Sequence, residues 1–466
     1  MKYFMAALSM LFMGTIAAQN VEGKLVDEAG SPIEDAGIFN KTSGQHSHTD
    51  GTGHFVLDRT SVNDTIYFSR LGYANLTKVV TPSDLQNPMT IVLEESSISL
   101  DQVVLVSEVD ALSRVVDVDV KTNPVKSSQE ILRKVPGLII GQHAGGGKAE
   151  QIFLRGFDVD HGTDVAINVD GMPVNMVSHA HGQGYADLHF VIPETIENID
   201  FGKGPYYADQ GNFNTAGYVN LKLRKSLDKS MLSTEVGQFG ARRFMGMLNV
   251  MDNQNSNAYL ASELYVTDGP FESPQNFDRI NILGRYRYAL PGDHELLLTA
   301  SYFSSKWDAS GQIPQRAVDQ GLISRFGAID DTEGGQTSRT NFVLNHNKNL
   351  GTGKSINTMA FVSHYDFELY SNFTFFLEDP VNGDQIKQFE DRMLVGAKTV
   401  FQNNSANLGG MGFKYNAGIG FRYDNVDDNQ LSRTLNRQEL LERLAYGDVD
   451  EINGHAFAGA EFKSGK

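Results

Sequence analysis

Cysteine is absent from the 466 residues of this chain, and tryptophan occurs only once. The lack of cysteine excludes disulfides and thiolate metal sites, and it is compatible with an exported protein that needs no redox protection. Long apolar runs are also missing, because beyond the N-terminal segment no stretch of about 18 consecutive apolar residues occurs. The sequence therefore predicts no α-helical membrane span.

Positive charge is scarce as well. The chain has 39 Lys and Arg residues and 57 Asp and Glu residues, so its net charge is 39 − 57 = −18. Such a surface repels phosphate backbones, and no nucleic-acid partner is expected. Neither a His-Glu-x-x-His nor a Gly-x-Ser-x-Gly motif occurs, so we predict a protein that is not an enzyme. Its ordinary composition predicts a folded chain with room for about three domains.

The first 18 residues have the pattern of a secretory signal. Lys2 supplies a positive charge, residues Phe4 to Ile16 form an apolar run, and Ala17 and Ala18 offer the small residues of a cleavage site. A membrane anchor is the alternative interpretation, but the run is shorter than the roughly 20 residues that a spanning helix needs. We predict a signal peptide over residues 1–18 and export from the cytoplasm.

Residues 121–228 are organised around the segment from Phe153 to Asn175. Two β-prone runs there flank a polar turn, which predicts a small sheet that carries loops. Together with a later Gly-Pro pair and an Ala-Gly-Tyr-Val-Asn-Leu stretch, this segment resembles the plug domain of TonB-dependent outer-membrane receptors. That family more often has a Gly-Gly-Val-Ile type sequence where this chain has residues 216–219. The matching motif residues are Arg155, Gly156, Asp170, Gly171, Pro173, Gly204, Pro205 and Gly217.

Residues 20–95 show short β-prone segments at a spacing that predicts a β-sandwich. The order G-x-L-x-D-x-x-G-x-P-I, T-D-G-x-G-x-F and L-G-Y resembles the carboxypeptidase regulatory-like domain that often precedes the plug in Bacteroidetes receptors. This resemblance implies a non-catalytic module. The predicted strands are Val21 to Asp27, Ala36 to Asn40, His54 to Leu57, Thr65 to Ser69 and Met89 to Leu93.

Residues 96–120 form a predicted linker that contains one short β-prone run in polar surroundings. An unpaired strand in a flexible tether can add itself to the edge of another protein's sheet through main-chain hydrogen bonds. In position and sequence the run resembles the TonB box, and a last strand of the preceding sandwich is the alternative. The run consists of Leu100, Asp101, Gln102, Val103, Val104, Leu105 and Val106.

The segment that follows Asn175 carries histidine and methionine residues among glycines. If it is extended, His179 and His181 point to one side, and His189 and Met176 approach them through a glycine-rich turn. Imidazole and thioether ligands suit copper or zinc. These four residues are therefore a candidate metal site for copper or zinc as transported substrate, and no resident cofactor is predicted. The alternative is that these histidines form hydrogen bonds with the wall of a barrel that surrounds the plug.

Two predictions concern the start of the plug. Ser127 and Glu130 form an S-x-x-E capping box ahead of a short helix. The glycines at 145–147 and the following Lys148 fail the spacing of a phosphate loop, and we interpret them as a solvent-exposed hairpin.

From residue 229 onward the chain has the pattern of transmembrane strands. Residues Met411 to Tyr423 alternate apolar and polar or glycine residues without a break, and aromatics lie at both ends of the apolar face. In hydrocarbon every backbone N–H and C=O must be paired within the protein, so β-structure crosses only as a closed cylinder. We predict part of a transmembrane antiparallel β-barrel over residues 229–466, in contact with outer-membrane lipids.

Three long polar stretches in this region are predicted as loops: Asp308 to Ser338, Ser371 to Asp391 and Asp424 to Asp450. A plugged barrel needs about 22 strands. The span from Met231 to Lys466 has 466 − 231 + 1 = 236 residues, which gives only about half that number at roughly 20 residues per strand. We therefore expect a barrel that is truncated or completed by something else.

These observations predict a mainly β chain with an N-terminal β-sandwich, an α+β plug and part of a barrel. The resemblance implies a receptor in the outer membrane of a Gram-negative bacterium, with the periplasmic TonB complex as its energy-transducing partner. It also implies energised uptake of a scarce ligand, for which the histidine- and methionine-bearing plug loop predicts a metal ion or metal chelate. The alternatives are a glycan or peptide importer and a surface sensor or adhesion protein without transport.

Overall fold

The computed structural model describes residues 19–70, 73, 76–94, 113–118, 125, 127–142, 146–159, 162–408 and 411–463. The chain divides into two compact units, residues 1–105 and 106–466. The predicted signal peptide at 1–18 and the predicted TonB box at 100–106 lie outside the described residues. Among the described helices, none has the length and apolarity needed to cross a membrane.

The N-terminal unit is the predicted β-sandwich. Its described strands are β1 (Gln19–Val26), β2 (Gly37–Asn40), β3 (His46–His48), β4 (His54–Thr60), β5 (Thr65–Ser69), β6 (Leu76–Val79) and β7 (Met89–Val92). One sheet has the order β4-β1-β7 and the other β3-β2-β5-β6. Phe55 and Phe68 belong to the single core of the unit, with ring centroids 5.7 Å apart. The prediction missed β3 and β6, because these short segments have exposed or polar side chains and no clear alternation.

The plug consists of two small sheets in the second unit. Its described strands are β8 (Ser113–Asp117), β9 (Leu138–Gly141), β10 (Gln151–Leu154), β11 (Phe157–Val159), β12 (Val165–Val169), β13 (Met172–Pro173), β14 (Ile196–Lys203) and β15 (Gly217–Leu223). The sheet orders are β11-β10-β9 and β13-β12-β15-β14-β8. Strand β8 lies within the range predicted as linker and forms an edge of the larger sheet. Short 3₁₀ helices span Gln129–Lys134 and Pro193–Thr195.

The predicted capping box precedes a 3₁₀ helix rather than an α-helix. The backbone N–H of Glu130 donates to the Ser127 hydroxyl over 3.3 Å, as a capping residue requires. The helix is short because the following Pro136 and Gly137 break the helical pattern, and the backbone N–H of Val135 already closes on Leu132.

The wall is a ten-stranded sheet in the described part of the chain, with each strand antiparallel to the next. Its strands are β16 (Met231–Val236), β17 (Arg242–Asp252), β18 (Ser256–Thr267), β19 (Phe277–Leu290), β20 (His294–Ala309), β21 (Glu333–Asn349), β22 (Lys354–Ser371), β23 (Ile386–Leu408), β24 (Met411–Leu435) and β25 (Glu439–Lys463). This up-and-down order is that of part of a receptor barrel, and the count agrees with the predicted half.

Side chains alternate across this wall as predicted. Phe361 and Ser363 are buried on the inward face, whereas Val362 between them is exposed on the outward face. On β24, Ile419 and Phe421 are likewise exposed on the outward face. The outward apolar positions form the surface that hydrocarbon covers, and the inward polar positions line the lumen.

The connections are short at one end of the wall and mostly long at the other. The described short turns are 253–255, 291–293 and 350–353, and the connections at the opposite end are 237–241, 268–276, 310–332, 372–385 and 436–438. Outer-membrane barrels carry their long loops outside and their short turns in the periplasm. A short helix, α1 (Gln315–Asp319), lies in the longest loop.

The prediction of a long loop from Asp424 to Asp450 is wrong. Strands β24 and β25 continue through this stretch as a pair, from Asp424 opposite Glu451 to Leu435 opposite Glu439, with three bulges. Main-chain pairing does not require apolar side chains once a hairpin extends beyond the apolar belt into water, so polarity alone misidentified these strands. The other two loops are also shorter than predicted, at 310–332 and 372–385.

Candidate functional site

Two of the plug motifs are tight hairpin turns. Arg155 and Gly156, with φ of 57° and 81°, connect β10 to β11, and Asp170 and Gly171, with φ of 50° and 88°, connect β12 to β13. Two-residue hairpins with positive φ at both positions match the twist of the strands that they join. Glycine adopts this backbone at no steric cost. These motif residues therefore shape the loops of the plug.

The other motif residues meet the first turn in space. A Cβ on Gly204 would lie 2.6 Å from a terminal nitrogen of Arg155, and a Cβ on Gly217 would overlap the carbonyl oxygen of Gly202. Glycine at these two positions lets β14, β15 and the Arg155 turn pack closely. Pro205 follows on the exposed side of the same turn, and Pro173 ends β13. Arg155, Gly204 and Gly217, distant in sequence, thus meet in one region of the plug, whereas the Asp170 turn and Pro173 lie at the opposite end of β12.

A network of ion pairs joins the plug to strands β17, β18 and β19 of the wall. Arg243 of β17 holds Glu194 of the plug with two contacts of 2.8 Å, and it also binds Glu263 of β18. Arg279 of β19 binds the same Glu263 carboxylate at 2.8 Å. Glu263 is fully buried and lies between two guanidinium groups, so its charge is compensated.

A second contact between plug and wall involves the Asp170 turn. One oxygen of the Asp170 carboxylate pairs with Arg285 of β19, and the other accepts the backbone N–H of Leu223 over 3.1 Å. Asn281 of the same strand donates to the backbone carbonyl of His189 over 3.0 Å. The wall therefore binds both side chains and main chain of the plug.

His179 lies between the plug and the wall in a cage of aromatic rings. Its imidazole stacks on Tyr185, with centroids 4.1 Å apart, and meets Phe367 of β22 edge-on at 4.6 Å. Its Nε2 lies 3.3 Å from the Tyr365 hydroxyl and 3.8 Å from the Glu390 carboxylate of β23. Glu390 also accepts the backbone N–H of Ala180 over 2.8 Å.

The other predicted metal ligands occupy different surroundings. His181 contacts the Gln388 amide oxygen of β23 at 3.1 Å, and its backbone N–H donates to Nδ1 of His179 over 3.1 Å. His189 contacts Asp187 at 2.7 Å inside the plug, and Met176 is buried in the plug core. The structure thus brings His179 and His181 together with the wall but gives His189 a separate partner.

A group of at least three His, Asp or Glu residues with ligand atoms within 4.8 Å of one another occurs once in the described ranges, and it is His364, Asp366 and Asp391. It does not include the histidines of the plug. Because imidazole nitrogens of both His179 and His181 lie beside wall side chains, copper or zinc would bind there only after those contacts are exchanged.

Next to the His179 cage, the wall carries a buried network of charges. Arg392 binds Glu390 and Asp424, each at 2.9 Å. Arg422 also binds Asp424, at 2.6 Å, and it donates to the backbone carbonyl of Asn175 over 2.7 Å. Opposite charges on neighbouring strands therefore compensate one another, and the plug contributes a backbone acceptor.

Burial changes the acidity of two groups within the plug. Burial raises the pKa of the Tyr185 phenol well above its ordinary value, and the nearby Asp187 carboxylate adds to the effect. The phenol therefore stays protonated and donor-capable at neutral pH. Burial also raises the pKa of Glu150, although His189 opposes this. A buried carboxyl group of raised pKa takes up a proton more readily than an exposed one.

Within the glycine run predicted to be a solvent-exposed hairpin, Gly146 and Gly147 pack against the wall. Gly147 is buried, and a Cβ there would overlap the ring of Trp307 of β20. A Cβ on Gly146 would contact Phe277 of β19 at 3.4 Å. Glycine is needed because the backbone approaches a large ring, so the run reflects close packing rather than exposure.

The charged partners on the wall were missed by sequence analysis. Arg243, Glu263, Arg279 and Asn281 occupy inward positions of β17, β18 and β19. Each is followed by an exposed apolar residue, namely Phe244, Leu264, Ile280 and Ile282. Charges at alternate positions of an otherwise apolar strand were the available signal. That signal indicates a polar lumen, but it does not reveal which plug residue each charge binds.

Comparison with known families matches both globular parts of the chain. Residues 107–218 match the TonB-dependent Receptor Plug Domain, and residues 21–105 match the CarboxypepD_reg-like domain. These matches agree with the two resemblances seen in the sequence.

Solved structures share the fold of the second unit. The ferric citrate transporter FecA, in its unliganded form, is 14% identical with a TM-score of 0.62, covering 76% of this chain and 54% of that one. The copper transporter OprC is 16% identical with a TM-score of 0.55, covering 75% and 53%. The siderophore receptor PirA from Acinetobacter baumannii is 17% identical with a TM-score of 0.53, covering 76% and 54%. The chain therefore spans about half the length of these solved structures.

Proposed function

We propose that this chain is part of a TonB-dependent receptor of the outer membrane, and that it takes up a metal ion or a small metal chelate through the lumen that the plug occupies. The observation that carries this proposal is the attachment of the plug to the wall. The attachment includes an ion pair between Arg243 and Glu194 and a hydrogen bond from the backbone N–H of Ala180 to Glu390. Polar contacts of this kind can be exchanged for water when the plug moves.

The proposed energy source is the periplasmic TonB complex, acting through residues 100–106. A β-prone run in a polar linker suits strand addition to a partner's sheet. Force on that strand is transmitted to β8, which is the first described strand of the plug and pairs with β14. The 3₁₀ turn that carries Glu194 precedes β14 directly, so the pull acts next to a plug contact with the wall.

Deletion of residues 100–107 tests the energised step. We expect uptake of radioactive copper or zinc to be lost in cells, while binding of the same metal to the cell surface is retained. The matched control replaces residues 108–112 of the same predicted linker with a Gly-Ser segment of equal length, and this variant should transport normally. Unchanged uptake after the deletion would contradict TonB-dependent transport by this chain.

The proposed substrate is copper or zinc, free or chelated, because the His179 and His181 loop lies at the outer part of the plug. The wall supplies Glu390 and Gln388 beside these histidines, so imidazole and oxygen donors converge there. Such donors suit both metals. One structurally similar protein is a copper transporter, and another is a siderophore receptor. These similarities support a metal-containing substrate.

Replacing His179 and His181 with alanine tests the substrate. We expect copper or zinc accumulation to fall, with the protein still present in the outer membrane. The chain offers a matched control in His46 and His48, which have the same His-x-His spacing on β3 of the N-terminal unit. If metal accumulation is the same in both double variants and in the wild type, metal uptake is wrong and glycan or peptide uptake becomes the leading candidate.

A surface sensor or adhesion protein is the second candidate, and one observation favours it. The outer loop 372–385 exposes apolar side chains, among them Leu377 at 74% and Val381 at 84%. Apolar side chains at a loop tip contribute to protein interfaces. Loss of partner binding without any change in metal uptake, after Leu377 and Val381 are replaced with serine, would support this second function.

A further inference from the structure

The outward face of the wall carries a histidine between two aspartates. Nε2 of His364 lies 2.9 Å from the Asp391 carboxylate on β23, and Nδ1 lies 3.5 Å from the Asp366 carboxylate on β22. All three side chains are partly exposed, at 41%, 41% and 43%. The cluster is on the opposite face of β22 from Tyr365 and Phe367, and therefore outside the lumen.

The chemistry of these three groups favours an additional cation. Ionised carboxylates only accept hydrogen bonds, and a neutral imidazole has one donor nitrogen and one acceptor nitrogen. With a carboxylate beside each nitrogen of His364, one of the two contacts brings acceptor against acceptor. Either a second proton on the imidazole or a metal ion between the groups resolves this conflict.

A third aspartate makes a single proton insufficient to balance the charge. Asp366 lies directly opposite Asp391, and Asp391 lies directly opposite Asp427 of β24, so three carboxylates cross three neighbouring strands in register. Like charges in direct cross-strand pairs are destabilising. The nearby Lys387 is already paired with Glu368 at 2.7 Å. A proton on His364 leaves two of the three negative charges uncompensated, whereas a divalent ion leaves one.

We propose that His364, Asp366 and Asp391 bind a divalent transition-metal ion on the outward face of the wall. Their ligand atoms lie within 4.8 Å of one another, a separation that one ion can span. One imidazole and two carboxylates are a donor set for zinc and for other divalent ions of the first transition row. Ser338 of β21 donates to Asp366 over 2.8 Å and orients that ligand.

The ion would link strands β22 and β23 at the boundary of the apolar belt. Val362 and Phe342, which pair across β21 and β22, are exposed apolar residues next to the cluster along the strands. The site is therefore separate from the proposed transport path through the lumen, and it does not depend on what the receptor transports.

The proposal is tested by titrating zinc into the purified full chain in detergent at neutral pH and measuring the heat of binding by calorimetry. We expect the wild type to bind one more equivalent of Zn²⁺ than His364→Ala. The Asp391→Asn variant should bind that equivalent at least about tenfold more weakly. Glu368→Gln is the matched control, because it removes a carboxylate from the same outward face two residues from Asp366 and should leave zinc binding unchanged.

Electron paramagnetic resonance of bound Cu²⁺ supplies a second measurement that identifies the ligand. Because His179, His181 and other histidines remain in every variant, the expected result is coupling to one more imidazole nitrogen in the wild type and in Glu368→Gln than in His364→Ala. Circular dichroism verifies that each variant is folded. Equal zinc stoichiometry in the wild type and His364→Ala would overturn the proposal and leave a protonated imidazole as the cation of the cluster. An equal loss of binding in Glu368→Gln would also overturn it, because nonspecific attraction to the acidic face would then explain the zinc.

Discussion

Replacing Arg243 with alanine should loosen the plug around Glu194. The Arg243 side chain is buried and binds Glu194 of the plug as well as Glu263 and Glu235 of the wall. Its removal leaves Glu194 without this wall cation and leaves Glu263 dependent on Arg279. Among the described ion pairs, Arg243 is the only partner of the Glu194 carboxylate.

The size of the effect follows from burial. Breaking a buried ion pair by removing one partner costs about 3–5 kcal/mol, because a charge stays buried without compensation. Since Arg279 still compensates Glu263 at 2.8 Å, we expect the lower end, about 3 kcal/mol. Every 1.4 kcal/mol corresponds to a factor of ten, so the open population of the plug segment around Glu194 should rise roughly 100-fold.

Native-state hydrogen exchange of the amides in β14 and β15 measures this population. The matched control is Arg433→Ala, which removes an arginine whose partner Glu378 is 61% exposed. An exposed pair of this kind contributes about 0–1 kcal/mol, and exchange in the plug should not change. If Arg243→Ala alters plug exchange no more than Arg433→Ala does, the ion pair does not hold the plug and this reasoning is wrong.

Two further predictions concern packing and pH. Gly147→Ala should shift the fluorescence of Trp307, the single tryptophan, and lower the free energy of unfolding by about 1–3 kcal/mol, because the new Cβ overlaps the ring. Gly182→Ala, where a Cβ meets nothing within 4 Å, should change neither the fluorescence nor the stability. In the N-terminal unit, burial disfavours the Asp84 carboxylate, but hydrogen bonds from Lys78 and Thr81 outweigh this and lower its pKa to about 2. This stabilisation is complete above the unfolded pKa of about 3.9 and is lost as pH falls through about 2. Asp84→Asn should therefore destabilise the unit by about 1 kcal/mol at neutral pH and by nothing below pH 2, and an equal effect at both pH values in thermal unfolding would contradict the assignment.

The alternation of residues Met411 to Tyr423 was enough to predict a transmembrane strand, and the structure confirms a mainly β chain with part of a barrel. The end of the second β-prone run at Asp170-Gly171 is a hairpin turn in the structure, whereas the hairpin turn at Arg155-Gly156 was not predicted. These features are local. Strand alternation has a period of two residues, and turn preference depends on the backbone of adjacent residues, so a short window of sequence contains the information.

Predictions of loops and exposed turns from polarity were wrong where contacts with residues distant in sequence determine the structure. The stretch from Asp424 to Asp450 is rich in charge, yet it forms a paired hairpin because β24 and β25 continue their main-chain register. The glycine run that ends at Gly147 has the sequence of an exposed turn, but Gly147 packs against the ring of Trp307, which is distant in sequence.

The sequence by itself determined the type of each part of this protein, because periodicity, turn residues and charge balance are properties of neighbouring residues. The tertiary structure alone decided which charges meet. Arg243 binds Glu194 across 49 positions, and Glu390 accepts from Ala180 across 210 positions. Such contacts depend on the register of ten strands and on the depth at which the plug lies within them, and both are set by packing over the whole unit rather than by any single segment.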